Sequence, residues 1–331
     1  MIPVILFIVG LILLIKGGDW FVDGAVGIAH KFNMPEILIG ATVVAIGTTL
    51  PEVMVSAGGA LKGLGSVAYG NALGSIICNT ALISAITIAV KPSDVDKKSM
   101  KTPVIFFSLA LLIYLFVSYF TGTFSRISGI ALLIIFVVYM FISVKQALSV
   151  KDDSLSKKVS SDEGSEKTDD DKKESSTVKF VILLVIGAAL IAVGARLLVD
   201  NGTIIATQLG VPSTVIALTF IALGTSLPEL VTAITSLAKG SGSLSLGNII
   251  GANLFNLVLV SGLSISLAPF DVPCDKLIAG INSSLIIDIP VMLIVSAILI
   301  VPALIRGKMS RIQGILMLII YAAFCTFQFI I

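Results

Sequence analysis

A polar, helix-breaking segment that occurs twice in an otherwise very apolar chain constrains this sequence most. Ala45-Ile-Gly-Thr-Thr-Leu-Pro-Glu52 returns 177 residues later as Ala222-Leu-Gly-Thr-Ser-Leu-Pro-Glu229. Sliding residues 17–79 onto 194–256 without a gap matches 22 of 63 positions, among them Asp23/Asp200, Pro35/Pro212, Lys62/Lys239, Asn71/Asn248 and Asn79/Asn256. Internal repeats of this length in a membrane chain point to a transporter built from two related halves.

The membrane setting follows from composition: 56% of residues are hydrophobic, 13% are charged, and apolar runs of bilayer length recur from end to end. The chain therefore reads as an all-α polytopic membrane protein with ten transmembrane helices. They are expected near residues 3–28, 35–60, 66–89, 103–120, 126–147, 179–206, 213–237, 244–267, 283–305 and 310–330. This divides the chain into a first five-helix repeat (1–147), a hydrophilic loop (148–178) and a second five-helix repeat (179–331). Five spans per half is an odd number, so the second repeat enters the membrane inverted relative to the first. The first span has no basic n-region and carries repeat residues Gly17, Val22 and Asp23, so it is expected to remain in the mature protein rather than act as a signal peptide.

The loop holds six lysines against nine acidic residues and too little apolar surface to fold alone. Its acids lack the spacing and glycine turn of a calcium loop, so it is expected to be a solvated tether. With the N-terminus outside, seventeen basic residues fall on the inner side and three, Lys62, Arg126 and Lys276, on the outer. By the positive-inside rule both termini lie outside and the loop is cytoplasmic, in what is expected to be the cell membrane of a prokaryote. The net charge of +2 and the residue pattern suggest no nucleic-acid partner. Cys78, Cys274 and Cys325 make no disulfide framework, and the lone His30 reads as an interfacial residue.

The chemistry sits in the duplicated segment. Pro51 has no amide hydrogen and its ring clashes with the carbonyl of Gly47, so the helix is expected to kink or open there, and likewise at Pro228. Glu52 and Glu229 each lie roughly 25 Å into their spans at about 1.5 Å per residue, too deep to reach water easily. Inversion brings them together near the midplane. With Thr48, Thr49, Thr225 and Ser226, freed carbonyls, and the amides of Asn79 and Asn256, they form an all-oxygen set suited to hard cations such as calcium. Helix-packing glue explains serines and threonines, and Thr42 and Thr219 are read that way; it does not explain two matching glutamates after prolines. Glycines four apart, Gly70/Gly74 and Gly247/Gly251, permit close helix approach, and Asn71 and Asn248 are read as backbone or cap partners. Asp19, Asp23 and Asp200 are expected to cap or pair, and Asp288, ahead of Pro290, to start a helix.

Gly-Thr-Ser/Thr-Leu-Pro-Glu followed by Gly-Asn-x-x-Gly-x-x-x-x-Asn, twice over, resembles the alpha repeats of the calcium/cation antiporter superfamily, most closely its prokaryotic sodium/calcium exchangers. The resemblance covers both halves. It implies central cation sites shared in turn by calcium and sodium, lined by Ala45, Thr48, Thr49, Glu52, Ser75 and Asn79, then Ala222, Thr225, Ser226, Glu229 and Asn256, the alanines through their carbonyls. Two positions depart from several archaeal relatives: Ala252 where they have Ser, and Asn256 where they have Asp. Asn256 leans towards potassium independence. The expected function is calcium/sodium antiport by alternating access, in a chain that works as a monomer without a cofactor. Calcium/proton antiport through the same glutamates is the alternative. No metalloprotease motif, nucleophile elbow or phosphate loop supports an enzyme.

Overall fold

A backbone in hydrocarbon must satisfy its N–H and C=O groups internally, so each apolar run closes on itself as a helix. The computed structural model of the protein describes residues 2–32, 34–92, 94–159, 170–209, 222–274, 277–278 and 280–330. Among these, nine helices are long and apolar enough to cross a membrane: Ile2–Lys31, Glu36–Leu61, Gly65–Val90, Lys97–Thr121, Arg126–Gln146, Thr177–Gly202, Gly242–Leu267, Ser284–Arg306 and Arg311–Gln328. They occupy the expected spans except the seventh. That span is described from Ala222, as Ala222–Thr225 and Leu227–Ala238. Its expected start, with Pro212 and Thr219, lies outside the described residues, as does Lys276. The architecture is all-α and polytopic. Two ladders of two-residue strands in the connections, Thr123–Phe124 with Phe270–Asp271 and Leu277–Ile278 with Ile281–Asn282, are additions the sequence did not announce.

The duplication is visible in the elements. The third span consists of Gly65–Cys78, a π-turn Asn79–Ser84 and Ala85–Val90; the eighth consists of Gly242–Phe255, a π-turn Asn256–Ser261 and Gly262–Leu267. Each piece recurs 177 residues on. The second and seventh spans both end on a lysine and a glycine with positive φ, Lys62-Gly63 (75°) and Lys239-Gly240 (82°).

The second, third and eighth spans are buried along most of their length, and the remaining spans turn apolar side chains outward, such as Ile12, Phe120 and Ile127. That is the distribution expected when the solvent for the outer ring is lipid. The first and sixth spans pair along a seam of glycines. A Cβ on Gly10 would stand 2.9 Å from the Gly194 carbonyl oxygen, and one on Gly17 would stand 2.9 Å from that of Gly187. Their shared core, with Leu14, Phe21, Val22, Ile191 and Ala195, is separate from the larger core of the other spans.

Straps at opposite ends of the fourth span join the halves. At one end Thr123 and Phe124 pair with Asp271 and Phe270, and the Thr123 hydroxyl donates to Asp271 Oδ1 at 2.6 Å. At the other the Val95 amide donates to the Gly307 carbonyl at 2.8 Å, beside a Lys308–Asp94 ion pair of 3.6 Å.

The central loop departs in part from the expected tether. The helices Arg126–Val159 and Asp170–Gln208 run into the hydrophilic segment from both sides; 160–169 lies outside the described residues. Residues 148–159 and 170–178 contain no glycine or proline, and extending an existing helix costs little once it is nucleated.

The glycine pair of the eighth span acts as a close-approach surface. A Cβ on Gly251 would fall 2.6 Å from Ala41 Cα and 2.7 Å from its carbonyl oxygen, and one on Gly247 would fall 2.2 Å from the Ile37 carbonyl oxygen. No such neighbour meets Gly70 or Gly74 among the described residues, and the repeat-equivalent positions 214 and 218 lie outside them. Gly251→Val therefore forces the second and eighth spans apart, at a cost of about 1–3 kcal/mol for overpacking. A melting curve in detergent should show a clear drop for Gly251→Val and none for Gly58→Ala, whose Cβ meets nothing within 4 Å.

Candidate functional site

The two motif spans solve the proline problem differently. In the second span the helix runs unbroken from Ala45 to Leu61 with Pro51 inside it, and the irregularity is a π-turn one step earlier, Gly40–Val44. In the seventh span the helix opens at Ser226 (φ −90°, ψ 5°), two residues before Pro228. The expected opening at Pro51 is thus not seen: the helix continues through the proline, which leaves the Gly47 carbonyl without its usual donor, and the irregular turn lies upstream of both. The π-turns that begin at Asn79 and Asn256 had no sequence signal beyond the asparagines themselves. Such turns insert one extra residue per turn and recur at functional sites.

Glu52 and Glu229 are fully buried on these spans, and each carboxylate lies within the electrostatic reach of the other. Neither is ion-paired with a lysine, arginine or histidine among the described residues. Among the described residues neither carboxylate has a hydrogen-bond partner of good geometry, although Ser75 lies beside Glu52 and Thr48 beside Glu229. Asn79 and Asn256 are also fully buried, and among the described residues neither their amide atoms nor the buried hydroxyls of Thr49 and Ser226 have a partner. These groups form three repeat-related pairs: 49 with 226, 52 with 229, and 79 with 256. Ala45 is buried on the same span, and Ala222 opens the short helix leading into Ser226.

Cross-half hydrogen bonds frame this cluster. The Thr48 hydroxyl lies 3.2 Å from Asn248 Oδ1 and the Thr225 hydroxyl 3.3 Å from Asn71 Oδ1. Asn71 also donates to the main-chain carbonyl of Glu52 (3.2 Å) and to Ser56 Oγ (2.8 Å). Asn253 donates to Thr80 Oγ1 at 2.7 Å, again between halves. Sequence reasoning anticipated the Asn71 contact with backbone but missed Ser56 and Thr80, which lie outside the repeated motif, and Asn253, which falls at one of its variable positions. Thr42 donates back to the Leu38 carbonyl, as a packing residue does.

The peripheral charges pair as expected. Lys239 reaches Asp23 Oδ1 at 2.8 Å and Asp19 Oδ1 at 3.6 Å, tying the end of the seventh span to the first. The repeat places Lys62 and Asp200 in the equivalent positions, yet Asp200 pairs with Arg196 on its own helix (3.6 Å) and Lys62 has no ion-pair partner among the described residues. A cavity of about 580 Å³ opens on this second side, lined by Leu50, Pro51, Met54, Ala192, Asp200 and Thr225, and so reaches the motif. His30 is exposed, 3.8 Å from Glu36. Asp288 does not start its helix as expected: it closes a π-turn, Ser284–Asp288, that runs on into Ile289–Arg306, and its side chain accepts from Gln328 at 2.7 Å instead of capping. Cys78, Cys274 and Cys325 are free.

Two carboxylates removed from water without a counter-charge are costly, and the remedy is a bound cation or a proton. The ligand atoms of the paired groups are oxygens, with the buried Cys78 thiol beside Ser226. No cluster of three or more His, Cys, Asp or Glu exists among the described residues, so any cation here would draw on hydroxyl, amide and main-chain oxygens as well.

Residues 2–145 and 179–330 match the profile of the sodium/calcium exchanger protein family. The putative antiporter CaxA of Alkalimonas amylolytica is 34% identical over 333 residues, spanning 100% of this chain and 99% of that one. The sodium/calcium exchanger MaX1 of Methanosarcina acetivorans is 30% identical over 361 residues, spanning 99% and 98%. A solved structure of the sodium-calcium exchanger NCX_Mj, soaked with Na+ and Sr2+, shares the fold with a TM-score of 0.79 at 32% identity over 97% of each chain. With both halves matched and the fold in common, this chain belongs to the sodium/calcium exchanger protein family.

Proposed function

We propose that the protein exchanges calcium for sodium across the membrane, holding the cations between Glu52 and Glu229. The observation that carries this reading is the set of three repeat-related pairs of buried, unpartnered groups: Thr49/Ser226, Glu52/Glu229 and Asn79/Asn256. Buried polar groups without partners are rare, and a cluster of them on one pseudo-symmetric site calls for a ligand. Charge counting makes the exchange natural. One calcium or two sodium ions neutralise the two carboxylates equally, so the loads compete for one site. Ala45, Ala222, Ser75, Thr48 and Thr225 complete the ligand set in this reading. The names of MaX1 and NCX_Mj support sodium as the counter-ion.

Alternating access follows from the unequal ends of the site. The Lys239 side is tied shut to Asp23, whereas the equivalent Lys62–Asp200 pair is unmade on the side of the cavity. The glycine seam lets the first and sixth spans slide as a unit, which breaks the first pair and makes the second. By the basic-residue bias the Lys239 side is cytoplasmic, the termini are outside, and a single chain contains the whole two-fold site.

Calcium uptake into proteoliposomes loaded with sodium, potassium or choline, with a separate pH-gradient arm, tests the exchange. Uptake should occur only from sodium-loaded vesicles and fall to the level of protein-free vesicles in Glu52→Gln and Glu229→Gln. Uptake driven by the pH gradient alone would replace sodium with protons.

The binding claim has its own readout in melting curves. Calcium at about 100 times its Kd should stabilise the wild type by about 2.7 kcal/mol and leave Glu52→Gln unmoved. In chelator, Glu229→Gln should melt above the wild type, because it relieves the buried repulsion.

The gate is checked by cross-linking in a background lacking Cys78, Cys274 and Cys325. A 23–239 cysteine pair should lock the site open to the cavity side, a 62–200 pair should lock it open to the other, and each should stop exchange. Unimpeded exchange in either cross-linked form rejects the gate.

A further inference from the structure

We propose that Asn71 and Asn248 are positioning residues: each pins the motif threonine of the opposite half so that its oxygen, not its proton, faces the cations. This rests on the exchange reading above. The sense of the bond is fixed at Asn71. Its amide nitrogen lies 3.2 Å from the main-chain carbonyl of Glu52, and a carbonyl can only accept. The nitrogen must therefore face Glu52 and Ser56, which turns Oδ1 towards Thr225 Oγ1 at 3.3 Å.

An amide oxygen accepts only, so Thr225 donates. A hydroxyl has one proton and two lone pairs; committing the proton to Asn71 leaves the lone pairs for the site. The repeat supplies the mirror image, with Thr48 donating to Asn248 Oδ1 at 3.2 Å. Thr48 has two competing acceptors, the Ala45 carbonyl 3.4 Å away and the Glu229 carboxylate beside it. If the proton turned to either, it would occupy a lone pair that the exchange reading gives to a cation. Asn248 thus keeps that proton off both.

The two halves differ in how firmly the pin is held. Asn71 is braced by Ser56, but the equivalent of Ser56 is Ala233, and the buried Asn248 amide nitrogen has no partner among the described residues. Truncating Asn248 therefore removes its contact with Thr48 and little else, whereas truncating Asn71 also releases the Glu52 backbone. A doubly charged calcium ion has the field to reorient a hydroxyl by itself. Singly charged sodium depends more on a lone pair that is already in place. The signature of the pin is a sodium effect larger than the calcium effect.

The test is a double-mutant cycle of Asn248→Ala and Thr48→Val in the full-length protein, reading half-saturating sodium and calcium concentrations for exchange. Outer partners of ion ligands are typically worth about 10–100-fold in affinity. Asn248→Ala should raise the sodium value about tenfold and the calcium value less, and should add nothing in the Thr48→Val background. Asn248→Asp keeps the accepting oxygen and should restore most of the sodium affinity. Equal shifts for both ions, or additive effects of the two substitutions, overturn the proposal. The cycle of Asn71→Ala with Thr225→Val provides the same readout if Asn248→Ala elutes as an aggregate. Should sodium drive no calcium flux even in the wild type, the exchange reading fails; sodium and calcium binding to the purified protein, followed calorimetrically, still decides whether Asn248 acts through Thr48.

Discussion

Everything in this structure answers to two carboxylates held in the middle of a membrane protein without a basic partner among the described residues. Glu52 and Glu229 are fully buried and within each other's field. In a low-dielectric interior that arrangement is unfavourable unless positive charge arrives from outside the chain. A lysine at the same depth would have neutralised them permanently and left a structural ion pair. Its absence makes the charge on the site exchangeable, which is what an antiporter needs.

Holding such a site open to ligands requires that the surrounding backbone be closely packed and yet irregular. Close packing comes from glycine. Gly247 and Gly251 let the eighth span rest on the backbone of the second, and Gly10, Gly17, Gly187 and Gly194 let the first and sixth meet along a seam. Irregularity comes from π-turns at Gly40–Val44, Asn79–Ser84 and Asn256–Ser261, and from the opening at Ser226. Irregular backbone at membrane depth is tolerated where it is enclosed by protein, as it is on these central spans. The hydrogen bonds between halves, Thr48–Asn248, Thr225–Asn71 and Asn253–Thr80, then join the two motifs into one unit.

Much of this was legible in the chain. The doubled motif identified Glu52, Glu229, Asn79 and Asn256, and burial of these four residues is what the repeat implied. The apolar runs located the spans, because a transmembrane helix needs about 20 apolar residues. The helix break was placed imperfectly. Pro51 marks one lost hydrogen bond, but the helix runs through it and the irregular turn lies at Gly40–Val44, since a single missing bond in a packed helix does not compel an opening. The helical ends of the central loop were missed because low apolar content says whether a segment can make a core, not whether a neighbouring helix will run into it.

The sequence by itself determined the membrane class, the two repeated halves and the identity of the paired carboxylates, because hydrophobicity and repetition are properties of the chain in order. Only the tertiary structure decided which buried groups lack partners among the described residues, that Thr48 and Thr225 each meet an asparagine of the other half, and that among those residues Lys239–Asp23 is made while Lys62–Asp200 is not. Those are relations between residues far apart in the chain, and a repeat that makes the halves alike cannot say in which respect their contacts differ.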